Sequence, residues 1–146
     1  MPSLSIYLNF VEGECREAFE FYRSVFGGEF SNIMAFDDMP PDDDYPIPEG
    51  WGDKVMHVSL PIGNGILMGS DVPPGFGPPL TVGSNYSVSY RPPSRDEADR
   101  VFAALCEGGE VTMELQDMFW GDYFGSCTDR FGINWQVGLE QEGSEG

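Results

Sequence analysis

Apolar positions along this chain fall first at strand spacing, then at helical spacing, then at strand spacing again. Residues 5–10, SIYLNF, are short and rich in β-branched and aromatic side chains, which predicts a strand. Residues 13–28, GECREAFEFYRSVFGG, set Cys15, Ala18, Phe19, Tyr22 and Phe26 at helical spacing, and Gly27-Gly28 supply a stop. EFSNIMAF at 29–36 predicts a second strand. Residues 37–53, DDMPPDDDYPIPEGWGD, are acidic and proline-rich with no period, so they predict a long loop. Loops of that length tend to be lids, binding loops or mobile excursions. Residues 54–72 predict a hairpin turning near Gly63-Asn64-Gly65.

The pattern then restarts. NYSVSY at 85–90 predicts a strand. SRDEADRVFAALCEGG at 94–109 predicts a helix, with Ser94 as N-cap, Glu97 completing a capping box and Gly108-Gly109 at the end. EVTMELQ at 110–116 and a hairpin over the next two dozen residues finish the chain. Tyr7-Leu8-Asn9-Phe10 overlays Ser87-Val88-Ser89-Tyr90, Glu17-Ala18 overlays Glu97-Ala98, and Gly65-Ile66-Leu67-Met68 overlays Gly132-Ile133-Asn134-Trp135. The expectation is an α+β chain of two tandem βαβββ modules. The first is 1–72 with its acidic loop 37–53, followed by a linker at 73–84, the second module at 85–139 and a disordered tail at 140–146.

Composition narrows the partners. With 146 residues, 40% of them apolar, the chain can bury a core. Its 25 acidic and 7 basic residues give a net charge of −18. No basic patch exists to release counterions from nucleic acid, so that partner is excluded. No stretch approaches the ~20 apolar residues of a membrane span. The start, MPSLSIYLNFVEGE, lacks the pattern of a signal peptide. The three scattered cysteines, Cys15, Cys106 and Cys127, suit buried thiols in a reducing cytoplasm.

His57 is the only histidine. In KVMHVSL, Met56, Val58 and Leu60 alternate with Val55, His57 and Ser59, and the more polar set is expected to face a cavity. His57 is the catalytic candidate as an acid–base group; the alternative is a histidine bonded to a backbone carbonyl. Cys127 is a weaker nucleophile candidate, without a neighbouring histidine in sequence. Asp117 and Asp122 could act as bases or pair structurally. Asp129 reads as turn chemistry and Asp71, after a strand, as a surface turn residue.

Three stretches carry a resemblance: YLNFVEGECREAFEFYRSVFGGEF, KVMHVSLPIGNGILMGSD and EADRVFAALCEGGEVTMELQDMFWGDYFGSCTDRFGINWQV. They are similar to the PhnB-like branch of the glyoxalase/bleomycin-resistance (vicinal oxygen chelate) superfamily, over residues 5–138. The resemblance implies one curved mixed sheet of eight strands, helices on its convex face, a ligand cavity on the concave face, and a homodimer. Some members of the branch carry a ubiquinone methyltransferase label, but no glycine-rich βα turn for a methyl-donor nucleotide is visible here. Metal-dependent members of the superfamily take four His or Glu ligands from the first and last strands of each module. Those positions fall on Tyr7, Gly69, Ser87 and Gln136, so the expectation is no metal and no cofactor. A metal-free cavity lined by Tyr7, Asn9, Met68, Trp120, Trp135 and Gln136 would take a partly apolar small molecule. The aromatic residues of 117–137 equally suit a core or a dimer interface. Two functions follow: a small-molecule-binding module, or an enzyme of the superfamily with His57 or a nearby carboxylate as general base.

Overall fold

Helix α1, Cys15–Phe26, turns one apolar face inward, burying Cys15, Ala18, Phe19, Tyr22 and Val25. Val25 takes the buried position expected for Phe26, which is half-buried. Burying Phe19 and Tyr22 completely contributes roughly 1.5–3 kcal/mol each. Glu14 is the N-cap but makes no side-chain cap bond. Asp71 serves instead. Its Oδ1 accepts the Cys15 N–H at 2.9 Å and its Oδ2 the Val55 N–H at 2.9 Å. Asp71 is therefore not a surface turn residue: at 2% exposure it ties the helix start to the sheet.

The computed structural model describes residues 4–40, 43–44 and 46–140. It holds two units, Met1–Thr81 and Val82–Gly146. In the first, β1 (Ile6–Phe10), β2 (Asn32–Ala35), β3 (Val55–Ile62) and β4 (Gly65–Asp71) form a mixed sheet in the order β1-β4-β3-β2. β1 runs parallel to β4, and the other pairs are antiparallel. The acidic loop leaves β2 through a single 3-10 turn, Phe36–Asp38. Its neck is closed by Phe36 N–H donating to Lys54 O and Asp37 N–H to Gly52 O. Residues 41, 42 and 45 of this loop, and 141–146 of the expected tail, lie outside the described residues.

The second unit repeats the plan. β5 (Val88–Tyr90), α2 (Arg95–Cys106), β6 (Glu110–Asp117), β7 (Asp122–Thr128) and β8 (Asn134–Glu140) give the order β5-β8-β7-β6, with β5 parallel to β8. Ser94 caps α2 by accepting the Glu97 N–H, while the Glu97 carboxylate pairs with Arg100. α2 buries Ala98, Val101, Phe102 and Leu105. All eight expected strands are present, as two four-stranded mixed sheets each covered by one helix.

Candidate functional site

Strand alternation decides which side chains can meet a ligand. In the first unit, Leu8, Phe10, Val58, Leu60 and Leu67 are buried on the α1 side. The ladder sets Tyr7 beside Met68, Asn9 beside Ser70, Ser59 beside Met68, and Met34 beside His57. These side chains share the opposite face. A register shift between Met34 and Ala35 turns Val55 to the buried side, so Val55 leaves the polar set it was expected to join.

On that face His57 is held at both ring nitrogens. Tyr7 Oη lies 3.2 Å from Nδ1 and Ser59 Oγ lies 3.0 Å from Nε2. The two rings are tilted with centroids 5.8 Å apart. His57 is thus not bonded to a backbone carbonyl through either of these contacts; it links two hydroxyls. The structure brings Tyr7, Asn9, His57 and Met68 onto one face. Tyr7 remains 44% exposed. Ser59 completes the hydrogen-bonded chain although it was not among the candidate site residues; its signal was its position two residues beyond His57 on the same strand face. A surface groove of about 540 Å³ near the start of α1, lined by Glu14, Arg16, Glu17, Asp53 and Lys54, shares none of these side chains.

In the second unit, Gln136 lies beside Ser89 and Ser126, away from α2. Thr112 and Ser126 hydroxyls are 2.7 Å apart, and Thr128 Oγ1 donates to Asn134 Oδ1 at 2.8 Å. The result is a strip of hydroxyls and amides. Phe124 continues it toward Trp120, whose ring is 6.4 Å away and 51% exposed. Phe119, 96% exposed, packs its edge on Trp120. Trp120 Nε1–H donates to Asp122.

Trp135 is a correction. It is 2% exposed on the α2 side of β8, beside Val137, and cannot line a cavity with Gln136 because adjacent strand residues face opposite ways. Its Nε1–H donates to Asp129 Oδ2 at 2.8 Å, while Asp129 Oδ1 accepts the N–H groups of Phe131 and Ile133. Asp129 therefore does organise the hairpin turn, but from a buried position. Asp117 forms a two-bond pair with Arg95, which stacks 3.8 Å over the Tyr123 ring. Cys15 and Cys127 are buried, and burial pushes both thiols far above the ordinary range, with Asp71's charge adding for Cys15 and Cys106 for Cys127. A thiol so shifted is a poor nucleophile, which removes Cys127 as a candidate.

The superfamily's metal positions do not fit a divalent ion here. Gly69 faces α1: a Cβ built on it would lie 2.6 Å from the Phe19 ring. The β4 residue beside Tyr7 is Met68. Phenol, thioether, hydroxyl and neutral amide do not make the carboxylate–imidazole donor set such an ion requires. Among the described residues no group of three or more His, Cys, Asp or Glu could hold a metal ion.

Comparison with known proteins places this geometry. The chain is 29% identical to protein YjdN of Escherichia coli, over 97% of each chain. It is 40% identical to the crystal structure of protein PA1353 from Pseudomonas aeruginosa, with a TM-score of 0.79, covering 96% of this chain and all of that one. It shares its fold with a Bacillus cereus PhnB protein described as a putative 3-demethylubiquinone-9 3-methyltransferase, at 24% identity and TM-score 0.73, covering 94% and 99% of the two chains. These neighbours agree with the PhnB-like branch. The family model for the Glyoxalase/Bleomycin resistance protein/Dioxygenase superfamily matches residues 6–137, and with the same strand–helix plan in both units, this chain belongs to that superfamily.

Proposed function

We propose that this chain is a metal-free small-molecule-binding protein whose ligand rests on the face of the first unit's sheet turned away from α1. The observation that carries the reading is the makeup of the first sheet's free face. In a chain of net charge −18, the strands present on that face Tyr7, Asn9, His57, Ser59, Met68 and Ser70 and, among their residues, no carboxylate. Neutral hydrogen-bonding groups beside aromatic and thioether surface suit a partly apolar organic molecule. Gln136 and Trp120 are the corresponding candidates of the second unit. The protein is proposed to work as a homodimer in the cytoplasm; no helix among the described residues is long and apolar enough to cross a membrane.

Thermal-shift screening over a metabolite and drug library, with and without divalent metals, tests the reading. A ligand that binds the native state raises the melting point by mass action. The expected hits do not depend on added metal and are lost in Tyr7→Ala or Met68→Ala variants that stay folded. Hits that all require added metal would refute it.

The hydrogen-bonded chain Tyr7–His57–Ser59 favours a second reading, an enzyme with His57 as general base. A base oriented through its second nitrogen is a recurring catalytic arrangement. Turnover lost in His57→Gln with ligand affinity retained would select this reading over simple binding.

A further inference from the structure

The two contacts of His57 fix how its protonation changes the face. A neutral imidazole carries one N–H and one lone pair. With Tyr7 Oη at Nδ1 and Ser59 Oγ at Nε2, one hydroxyl must direct its proton into the ring. The other accepts the ring's N–H and turns its own O–H outward. A protonated imidazole donates at both nitrogens. Both hydroxyls then accept from the ring, and both turn their protons outward. Protonation therefore converts one outward donor on a neutral ring into two outward donors flanking a positive charge.

No carboxylate of the four strands shares that face, and in the turn that follows β2 Asp38 accepts the Ala35 N–H while Asp37 lies against Gly52. Across all four strands of this sheet the ionisable side chains are Tyr7, His57 and Asp71. Asp71 faces α1, bonded to Cys15 N–H and Val55 N–H. Asp53 and Lys54, which precede β3, lie toward the start of α1: Arg16 donates to Asp53 O, and Lys54 abuts Gly13. Glu14, Glu17, Glu20 and Arg23 belong to α1 and its cap, on the other side of the sheet.

We propose that this face takes a small organic carboxylate and that binding is coupled to uptake of one proton from solvent by His57. The inference rests on the reading of this face as a ligand site. The outward hydroxyls of Tyr7 and Ser59 donate to the carboxylate, the imidazolium between them supplies the opposing charge, and Met68 meets the apolar part. Imidazole is the side chain whose charge ordinarily changes between about pH 5 and 8, whereas a carboxylic acid stays ionised above about pH 5. The coupling is thus readable without titrating the ligand.

Benzoate and its neutral counterpart benzamide, measured by isothermal titration calorimetry at about pH 5.5 and about pH 8, supply the test. Benzoate should bind about tenfold or more tighter at the lower pH, as expected for hydrogen bonds gaining a charged partner. Benzamide should show no such change. His57→Gln should abolish the pH dependence of benzoate and leave benzamide binding intact. Ser59→Ala keeps the ring in place and removes one outward donor, so it should shrink the ratio between the two pH values; this arm decides even if His57→Gln fails to fold. Benzoate affinity that ignores pH, or a pH dependence that survives in His57→Gln or is unchanged in Ser59→Ala, overturns the proposal. Benzamide or other neutral compounds binding while benzoate does not would overturn it and leave the ligand site standing. Failure of every compound would remove both.

Discussion

Asp71 and Trp135 both lie buried, against the roles that their sequence neighbourhoods suggested. Asp71 follows a strand in GSD, yet its carboxylate holds two backbone N–H groups from residues distant in sequence. Burial is the largest influence on it and pushes the carboxyl above its ordinary 3.8, while the Cys15 and Val55 N–H groups pull it down. With the folded value raised, the folded state holds the proton more tightly than the unfolded state. Its contribution to stability is present below the unfolded value and lost as pH rises through the folded value. Asp71→Asn leaves one N–H without an acceptor, so it should cost about 1–3 kcal/mol at neutral pH. The variant lacks the titration, so its deficit should widen as pH falls toward about 4. Urea unfolding at several pH values measures this, and a deficit that narrows contradicts it. Trp135→Ala should cost about 3–5 kcal/mol, because a closed aromatic site is emptied and Asp129 Oδ2 loses its donor. A near-neutral result would return Trp135 to a cavity wall.

At the scale of elements, the packing of α1 on its sheet runs through one glycine. Gly69 lies opposite Leu8 and Val58, and a Cβ there would sit 2.6 Å from Phe19 Cε1 and 2.9 Å from Leu8 O. Phe19 is wholly buried and edge-packed against Tyr22 and Phe10, so it has no room to yield. Gly69→Ala should therefore destabilise by about 1–3 kcal/mol, as overpacking does. An unstrained Gly→Ala change would raise stability instead by restricting the unfolded chain. Denaturant unfolding of this variant distinguishes the two signs. The same packing places Gly69, one of the positions carried over from the superfamily's metal sites, on the side of the helix, not on the ligand side.

At the scale of the whole molecule, charge is the dominant quantity. A net charge of −18 per chain opposes association of two copies, and salt screens that repulsion over about 10 Å at 0.1 M. The proposed homodimer should tighten as ionic strength rises from low salt. Sedimentation equilibrium checks it: a 16.1 kDa species alone at micromolar concentration in every salt condition would exclude the dimer. Elemental analysis of untagged protein should find far less than one equivalent of Zn, Ni, Fe or Mn, since the Tyr7, Gly69, Ser87 and Gln136 positions, and Met68 and Ser89 beside Tyr7 and Gln136 in the ladders, do not form a donor set for them. A full equivalent would reverse that conclusion.

The sequence by itself determined the order of elements, the repeat and the family. Helical and strand periods are local properties, and Ser94, Gly63 and Gly108 act within a few residues of themselves. Alternation in KVMHVSL set His57 and Ser59 on the opposite side from Met56, Val58 and Leu60. What only the tertiary structure decided was each contact between distant segments. Asp71 reaching Cys15, the bulge that turns Val55 inward and the hydroxyl of Tyr7 meeting Nδ1 of His57 all depend on strand register, which no single segment encodes. Trp135 was misjudged for the same reason. An aromatic residue suits a core and a cavity equally well, and one step along a strand reverses the side it faces.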